Sequence, residues 1–170
     1  KYILTFLFLG IDKNGEVKAS SNLFKGGQAD ALFLAVLDPG EKKISVIGIN
    51  RDTMASMNVY DKNGRYSGRQ TAQIALSHAY GDGLEESCEN SLDAVSNLFY
   101  GLPIHGYCAL NMSVISKLND AVGGVDVVIP ESANGLEKGW TTGAEVHLEG
   151  DAAYRFIHYR DTAQEQSAEA

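Results

Sequence analysis

The chain has 170 residues, of which 44% are hydrophobic and 21% charged, a composition typical of one folded domain with its own core. Its 14 basic and 22 acidic residues give a net charge of −8, which argues against the sequence-independent phosphate binding on which nucleic-acid proteins rely. No run approaches the roughly 20 apolar residues that span a bilayer, so we expect these residues to form a soluble segment.

Apolar, partly β-branched runs in the first part of the chain predict four strands, at residues 2–9, 30–37, 43–49 and 54–60. Asp38-Pro39-Gly40 joins the second and third runs as a hairpin turn, because Pro presets φ and Gly tolerates positive φ. Asn63-Gly64 follows the fourth run and is the strongest short-range hairpin signal. Hairpins therefore dominate the first part of the chain.

Helices and strands alternate in the second part. Apolar residues at three- and four-residue spacing predict a helix over 84–98 that Gly101 closes. Strands are predicted at 104–110 and 125–129, separated by a helix that Ser113 caps and Gly123-Gly124 stops; a last helix begins at Asp151 and ends near residues 159–160. This order predicts an α/β fold, a mixed sheet covered by helices on both faces.

The two cysteines and most histidines favour structural roles. Cys88 and Cys108 are too few and too far apart for a zinc site. Cys88 falls on the apolar stripe of a predicted helix and Cys108 alternates with apolar residues, which predicts two small core side chains; a disulfide between them stays open. Histidines 78, 105 and 147 lack metal-ligand spacing, which favours packed or solvated imidazoles.

Polar residues that interrupt apolar runs at strand ends are the first candidates for chemistry. Asp12 follows the first strand, Asp30 opens the second, and Arg51-Asp52 follows the third. Two carboxylates suit Mg²⁺ and an arginine suits a phosphate, so the set fits phosphoryl chemistry. The alternative is that the aspartates cap turns and Arg51-Asp52 forms a surface ion pair. His158 and Arg160, near the end of the last helix, could add donors.

Aromatic and apolar side chains are numerous enough to line a hydrophobic tunnel, although core packing is the default explanation of such residues. They are Phe6, Phe8, Phe33, Leu34, Leu98, Phe99 and Tyr107.

Seven blocks of sequence, taken in order, resemble the LytR-CpsA-Psr family: residues 7–12, 28–34, 44–53, 79–83, 102–104, 120–125 and 156–160. Arg51-Asp52-Thr53 and residues 120–125 are the most specific of them. The resemblance covers nearly the whole chain. It implies one catalytic domain over residues 1–160 and a polar tail over 161–170 that lacks the family's C-terminal arginine motif.

The resemblance also implies an activity and a location. Members transfer glycopolymers, such as teichoic acid or capsular polysaccharide, from a polyprenyl-pyrophosphate carrier to peptidoglycan. They act on the extracytoplasmic face of the cell membrane, where a transmembrane helix upstream of Lys1 would anchor this protein. Their fold is a three-layer α/β/α sandwich with a hydrophobic tunnel for the polyprenyl tail.

Residue by residue, Asp12 and Asp30 resemble the family's Mg²⁺ aspartates, and Arg51 resembles its pyrophosphate-binding arginine. We expect Asp30 or Asp52 to act as the base, and Gln28, Arg51, His158 and Arg160 to bind the pyrophosphate. Gln28 and His158 stand where many members have an arginine, so two permanent charges are replaced by an amide and a titratable ring.

Two other functions fit the same residues. A pyrophosphatase would hydrolyse the lipid with water in place of the acceptor hydroxyl. A non-catalytic module would bind polyprenyl lipid or envelope glycan without turnover, which Gln28, His158 and the missing C-terminal motif make plausible.

Overall fold

The structure, a computed structural model, describes residues 2–15, 18, 26–61 and 63–158. The chain divides into two compact units, Lys1–Met112 and Ser113–Ala170. The tail predicted at residues 161–170 lies outside the described residues. Among the described residues, no helix has the length and apolar character needed to cross a membrane.

Strands dominate the described part of the first unit, which also contains two helices. Its elements are β1 (Leu4–Ile11), β2 (Ala29–Asp38), β3 (Lys43–Ile49), β4 (Met54–Tyr60), β5 (Tyr66–Gln73), α1 (Leu76–Ala79), α2 (Glu85–Leu98) and β6 (Gly106–Asn111). Four strands form a sheet in the order β3-β2-β1-β6. Because β1 pairs antiparallel with β2 and parallel with β6, the sheet is mixed, and the predicted α/β class is confirmed.

One face of this sheet carries the core of the unit. Leu7 pairs with Leu34 and Leu9 with Leu32, and all four side chains are buried. They belong to one cluster with Val95 of α2 and other buried residues. Burying a leucine contributes roughly 1.5–3 kcal/mol, so the period-2 alternation of these strands accounts for much of the stability of the unit.

The opposite face of the sheet is apolar and open. Phe8 and Phe33 pair across β1 and β2 on this face, and both are nearly half exposed. The residues named for a tunnel therefore lie on both faces, since Leu34 points to the core. Cys108 pairs with Phe8 and is exposed, so the predicted core position for Cys108 is wrong, whereas Cys88 is buried; both thiols are free.

The hairpin predicted from Asn63-Gly64 is confirmed as a separate two-stranded sheet of β4 and β5. Helix α2 ends as predicted near Gly101, whose amide donates to the carbonyl of Ser96 at 2.8 Å. Gly101 adopts a φ of +86°, the left-handed conformation that closes many helices.

The second unit has its own core. It contains α3 (Ile115–Ala121), β7 (Val125–Val128), β8 (Glu145–Leu148) and α4 (Asp151–His158), and β7 and β8 pair antiparallel. Its buried cluster contains Ile129, Ala133, Trp140, Leu148 and Ala153. Ser113 is not the cap of α3, because a 3-10 turn precedes that helix and places Val114 at the N-cap without a side-chain hydrogen bond.

Candidate functional site

A β-bulge singles out Asp30. In the register of β1 and β2, Gly10 pairs with Ala31 and Ile11 pairs with Ala29, so Asp30 is the extra residue between two ladder pairs. Bulges re-aim side chains and are frequent beside active sites. The bulge thus sets the direction of the Asp30 carboxylate at the end of the sheet where β1 finishes.

A tight turn between β3 and β4 presents Arg51 and Asp52. The amide of Thr53 donates to the carbonyl of Asn50 at 3.0 Å, and the amide of Asp52 donates to Asn50 Oδ1 at 2.9 Å. Short polar side chains stabilise turns by such bonds to the backbone. The amide of Ala75 donates to the Arg51 carbonyl at 3.1 Å, which ties the turn to the segment after β5.

The Arg51 guanidinium is the centre of the cluster. Its Nη1 lies 2.7 Å from Asp30 Oδ1, and its Nη2 donates to Gln28 Oε1 at 3.2 Å. Its Nε lies 3.9 Å from Asp52 Oδ1. Asp12 adjoins the cluster through its backbone, because its amide donates to the Gln28 carbonyl at 2.9 Å. The structure therefore brings Gln28, Asp30, Arg51 and Asp52 together.

Asp30 has an oxygen that suits a cation. Oδ1 is buried and accepts no hydrogen bond, because the short contact with Arg51 is an ion pair without hydrogen-bond geometry. The described residues contain no group of three or more His, Cys, Asp and Glu side chains arranged to hold a metal. Mg²⁺ needs fewer than three protein side chains, since it is usually bound by one or two carboxylates together with waters and substrate phosphates. Asp30 and the exposed Asp12 fit that donor set.

A cavity of about 320 Å³ adjoins the cluster. Ile11 and Gly26, which line it, precede Asp12 and Gln28 by one and two residues. Tyr107, Leu110 and other side chains from β6 and the start of α2 complete a largely apolar wall. The cavity therefore offers space for an apolar group next to a charged cluster.

His78 and Cys88 also line the cavity, and neither is activated. His78 Nδ1 lies 3.0 Å from the carbonyl oxygen of Gly27, which can only accept, so we assign the proton to Nδ1. Burial lowers the pKa of His78 and raises the pKa of the Cys88 thiol to about 11. Cys88 Sγ lies 3.9 Å from His78 Nε2 as a protonated thiol. The predicted packed role of His78 is confirmed.

The two predicted donors near the end of the last helix belong to the second unit. His158 is the last residue of α4 and is exposed, with its ring centroid 4.7 Å from that of Tyr154. Arg160 lies outside the described residues. Their contribution to the site of Arg51 stays a prediction.

Sequence reasoning missed Gln73. Its Nε2 donates to Asp52 Oδ1 at 3.0 Å, and the register of β4 and β5 places it opposite Met54, two residues after Asp52. Nothing in the local pattern of residues 66–73 marks this glutamine. Its link to Asp52 follows from the strand pairing alone.

Comparisons with known proteins give one consistent family. The profile of the LytR_cpsA_psr family matches residues 2–168. A polyisoprenyl-teichoic acid–peptidoglycan teichoic acid transferase TagU from Bacillus anthracis is 29% identical, covering 92% of this chain and 44% of its own length. A TagU from Bacillus mycoides is 31% identical with the same coverages, 92% and 44%. The chain thus spans less than half the length of these curated relatives.

Solved structures share the fold. Protein gbs0355 from Streptococcus agalactiae matches with a TM-score of 0.64 and 20% identity, covering 98% of this chain and 57% of its own. The Lin1025 protein from Listeria innocua matches with a TM-score of 0.61 and 23% identity, covering 96% and 57%. At these identities the likeness establishes the architecture of the chain, and its chemistry has to be inferred from the residues of the candidate site.

Proposed function

The chain belongs to the LytR_cpsA_psr family, and from this we propose that it transfers a glycopolymer from a polyprenyl-pyrophosphate carrier to peptidoglycan in the cell envelope. The curated relatives are named for the transfer of teichoic acid from a polyisoprenyl carrier to peptidoglycan. The observation that carries the proposal is the Arg51 cluster, in which one guanidinium contacts Asp30 and Gln28 at the end of the sheet.

The charge of the cluster supports a requirement for Mg²⁺. Two carboxylates, Asp30 and Asp52, face the single guanidinium of Arg51, and Asp12 adjoins the cluster through its backbone, so a pyrophosphate would meet more acidic than basic groups there. Asp30 and Asp12 would hold Mg²⁺, and the ion would supply positive charge against the charge that develops on the departing phosphate. Asp30 Oδ1 supports this assignment, because it is buried and accepts no hydrogen bond although it is ion-paired with Arg51.

The side chains of the cluster divide the work between binding and proton transfer. Arg51 would bind the pyrophosphate through its forked N–H groups, and Gln28 would keep the guanidinium in place. The Asp52 side chain is 62% exposed, whereas that of Asp30 is 27% exposed. We therefore assign the base to Asp52, which can meet an incoming hydroxyl.

The transfer reaction balances as a single displacement at phosphorus. The acceptor hydroxyl oxygen forms a bond to the phosphorus that carries the glycan, and its proton passes to Asp52. The bond from that phosphorus to the bridging oxygen breaks, so polyprenyl phosphate leaves. The first part of the prenyl tail would lie in the apolar cavity beside the cluster.

A binding titration tests the proposal. We expect a short-chain polyprenyl pyrophosphate to bind this chain tightly with Mg²⁺, and about tenfold or more weakly with a chelator or in Arg51→Ala. Arg51→Lys keeps the charge but loses the fork, so its affinity should lie between those of wild type and Arg51→Ala. Arg155→Ala, an exposed arginine paired with Glu137, is the matched control and should bind like wild type.

Binding that needs neither Mg²⁺ nor Arg51 would overturn the proposal, because the lipid would then be held by apolar contacts alone. Hydrolysis of the bound lipid without any requirement for glycan would favour the pyrophosphatase instead.

A further inference from the structure

Strand β4 of the β4–β5 hairpin has one buried side and one polar side. Ala55 and Met57 of β4 point into the core and are almost fully buried. The alternate residues form cross-strand pairs on the other side: Met54 with Gln73, Ser56 with Thr71, and Asn58 with Arg69. We call this side, with Tyr66 at its far end, the hairpin face. Its hydroxyl, amide and guanidinium groups can donate to or accept from sugar hydroxyls.

An aromatic ring ends the hairpin face. Tyr66 is 61% exposed, and its ring centroid lies 6.1 Å from that of Tyr60 in an edge-on contact. Tyr60 is fixed in turn, because its hydroxyl donates to Asn90 Oδ1 of α2 at 3.1 Å. A braced, exposed tyrosine combines a flat apolar surface with a polar tip at low entropic cost. Such a ring suits the apolar face of a sugar.

The middle of the face is organised by hydrogen bonds. Arg69 Nε donates to Asn58 Oδ1 at 3.2 Å, and Asn58 Nδ2 donates to Asp93 Oδ2 at 3.4 Å. These bonds leave the terminal amino groups of the Arg69 guanidinium available for a ligand, since Nε is the atom engaged. Arg69 can therefore pair with a carboxylate carried by a sugar.

The charge of this segment differs from that of the chain. Residues 51–73 contain four basic and two acidic residues, a net charge of +2, whereas the whole chain carries −8. Asp30, Glu86 and Asp93 lie against this segment and offset part of its charge, so an anionic polymer would be repelled less here than by the chain as a whole. The hairpin is the more favourable docking region for a polysaccharide that bears carboxylates.

The near end of the face reaches the candidate site. Gln73 Nε2 donates to Asp52 Oδ1 at 3.0 Å, so the face is continuous with the carboxylate assigned as the base. From the Met54–Gln73 pair to the Tyr60–Tyr66 pair, the seven residues of β4 span about 20 Å. A polymer strand lying along this length would end with a hydroxyl beside Asp52.

We propose that the hairpin face binds the acceptor, a glycan strand whose sugars bear carboxylates. Tyr66 stacks on a sugar ring, Arg69 pairs with a carboxylate, and Gln73 aligns the strand with Asp52. This assignment rests on the proposed function, since it names where the second substrate of that reaction lies.

Glycan binding without lipid tests the assignment separately from the function. Peptide-free peptidoglycan glycan strands are titrated into the whole chain at about 150 mM salt, where the screening length is about 8 Å and diffuse attraction is weak. We expect binding by wild type and a loss of about tenfold in Tyr66→Ala and in Arg69→Gln. Tyr2→Ala is the matched control: it removes an exposed ring next to β1 at the far end of the sheet from Asp12.

The outcomes distinguish failure of the glycan-site assignment from failure of the proposed transferase function. Wild-type affinity in Tyr66→Ala and Arg69→Gln, or no binding by wild type, would overturn the assignment whatever the lipid titration shows. An equal loss in Tyr2→Ala would overturn it too, because the effect would not be local. Hairpin-dependent glycan binding without Mg²⁺-dependent lipid binding would retain the glycan site and reject the transferase. Circular dichroism of each variant establishes that it is folded.

Discussion

At the scale of single residues, burial separates side chains that could do chemistry from those that hold the fold. Arg51 is partly exposed and contacts Asp30 and Gln28, so its guanidinium is within reach of a ligand. His78, in contrast, is buried, and its Nδ1 is hydrogen-bonded to the Gly27 carbonyl. A neutral imidazole in that position links α1 to the loop that carries Gln28. Its contribution is structural and sensitive to pH.

The pH dependence of stability should report the burial of His78. Burial holds the folded-state pKa below the ordinary value of 6.5, so the unfolded chain binds the proton more readily. The contribution of His78 is therefore complete above pH 6.5 and is lost as the pH falls from there through the lower folded pKa. We expect the free energy of unfolding, measured in urea, to fall less steeply with acid in His78→Gln than in wild type.

His147→Gln is the contrasting variant. Hydrogen bonding to Asp126 raises the pKa of His147, so its contribution is present below the ordinary 6.5 and is lost as the pH rises through the folded pKa. Parallel pH profiles for wild type and His78→Gln would contradict the prediction for His78.

At the scale of elements, close packing of the loop before β2 positions the site. Gly27 adopts a φ of +85°, and a Cβ there would lie 2.8 Å from Ile11 Cγ2. A Cβ on Gly26 would lie 2.8 Å from the Cα of Gly83. Two glycines therefore allow this loop to lie against β1 and the start of α2. Gln28 and the bulged Asp30 follow immediately, so their placement depends on that approach.

Replacing Gly27 by alanine should cost more than the backbone strain alone. Gly64 is the matched control, because its φ of +75° is similar and nothing lies within 4 Å of its would-be Cβ. We expect Gly64→Ala to lose about 1 kcal/mol of unfolding free energy, the usual strain of a left-handed residue. Gly27→Ala should lose roughly 1–3 kcal/mol more through overpacking, and also bind the lipid pyrophosphate more weakly. If urea unfolding gave the same loss of unfolding free energy for Gly27→Ala and Gly64→Ala, the loop would be able to shift and accommodate the added Cβ.

At the scale of the whole molecule, two hydrophobic clusters stabilise two compact units. The first contains Leu7, Leu34 and Val95, and the second surrounds Trp140. Trp140 is the single tryptophan of the chain, so its fluorescence reports on the second cluster. The net charge of −8 belongs to the molecule as a whole, whereas residues 51–73 taken alone carry +2.

A core substitution in the first unit should act mainly on that unit. Leu34→Ala removes a fully buried side chain and should cost about 2–5 kcal/mol. Because each unit has its own buried cluster, we expect the circular dichroism transition to shift further than the Trp140 fluorescence transition. Phe33→Ala, the adjacent residue on the open face, is the control and should shift both transitions much less. Coincident shifts in Leu34→Ala would show that the two units unfold together.

Much of the architecture follows from local pattern. Apolar, partly β-branched runs predicted β1, β2 and β3, and the three- and four-residue spacing of apolar residues predicted α2, because both patterns are properties of short segments. Asn63-Gly64 predicted the β4–β5 hairpin for the same reason. Asp12, Asp30 and Arg51-Asp52 were also identifiable from sequence, since each interrupts an apolar run at a strand end.

Other features depend on contacts between residues that are distant in the chain. The bulge at Asp30 arises from the register of β2 against β1, and Gln73 meets Asp52 only because β5 folds back along β4. Cys108 has a sequence neighbourhood like that of a core residue but lies on the exposed face of the sheet. By itself the sequence determined most of the elements, the fold class and the residues of the Arg51 cluster, but not the extent of β5, nor β8, α1 or the role of Gln73. Tertiary structure decided which face each element buries and which side chains meet, because pairing register and burial are set by the partner strand or helix.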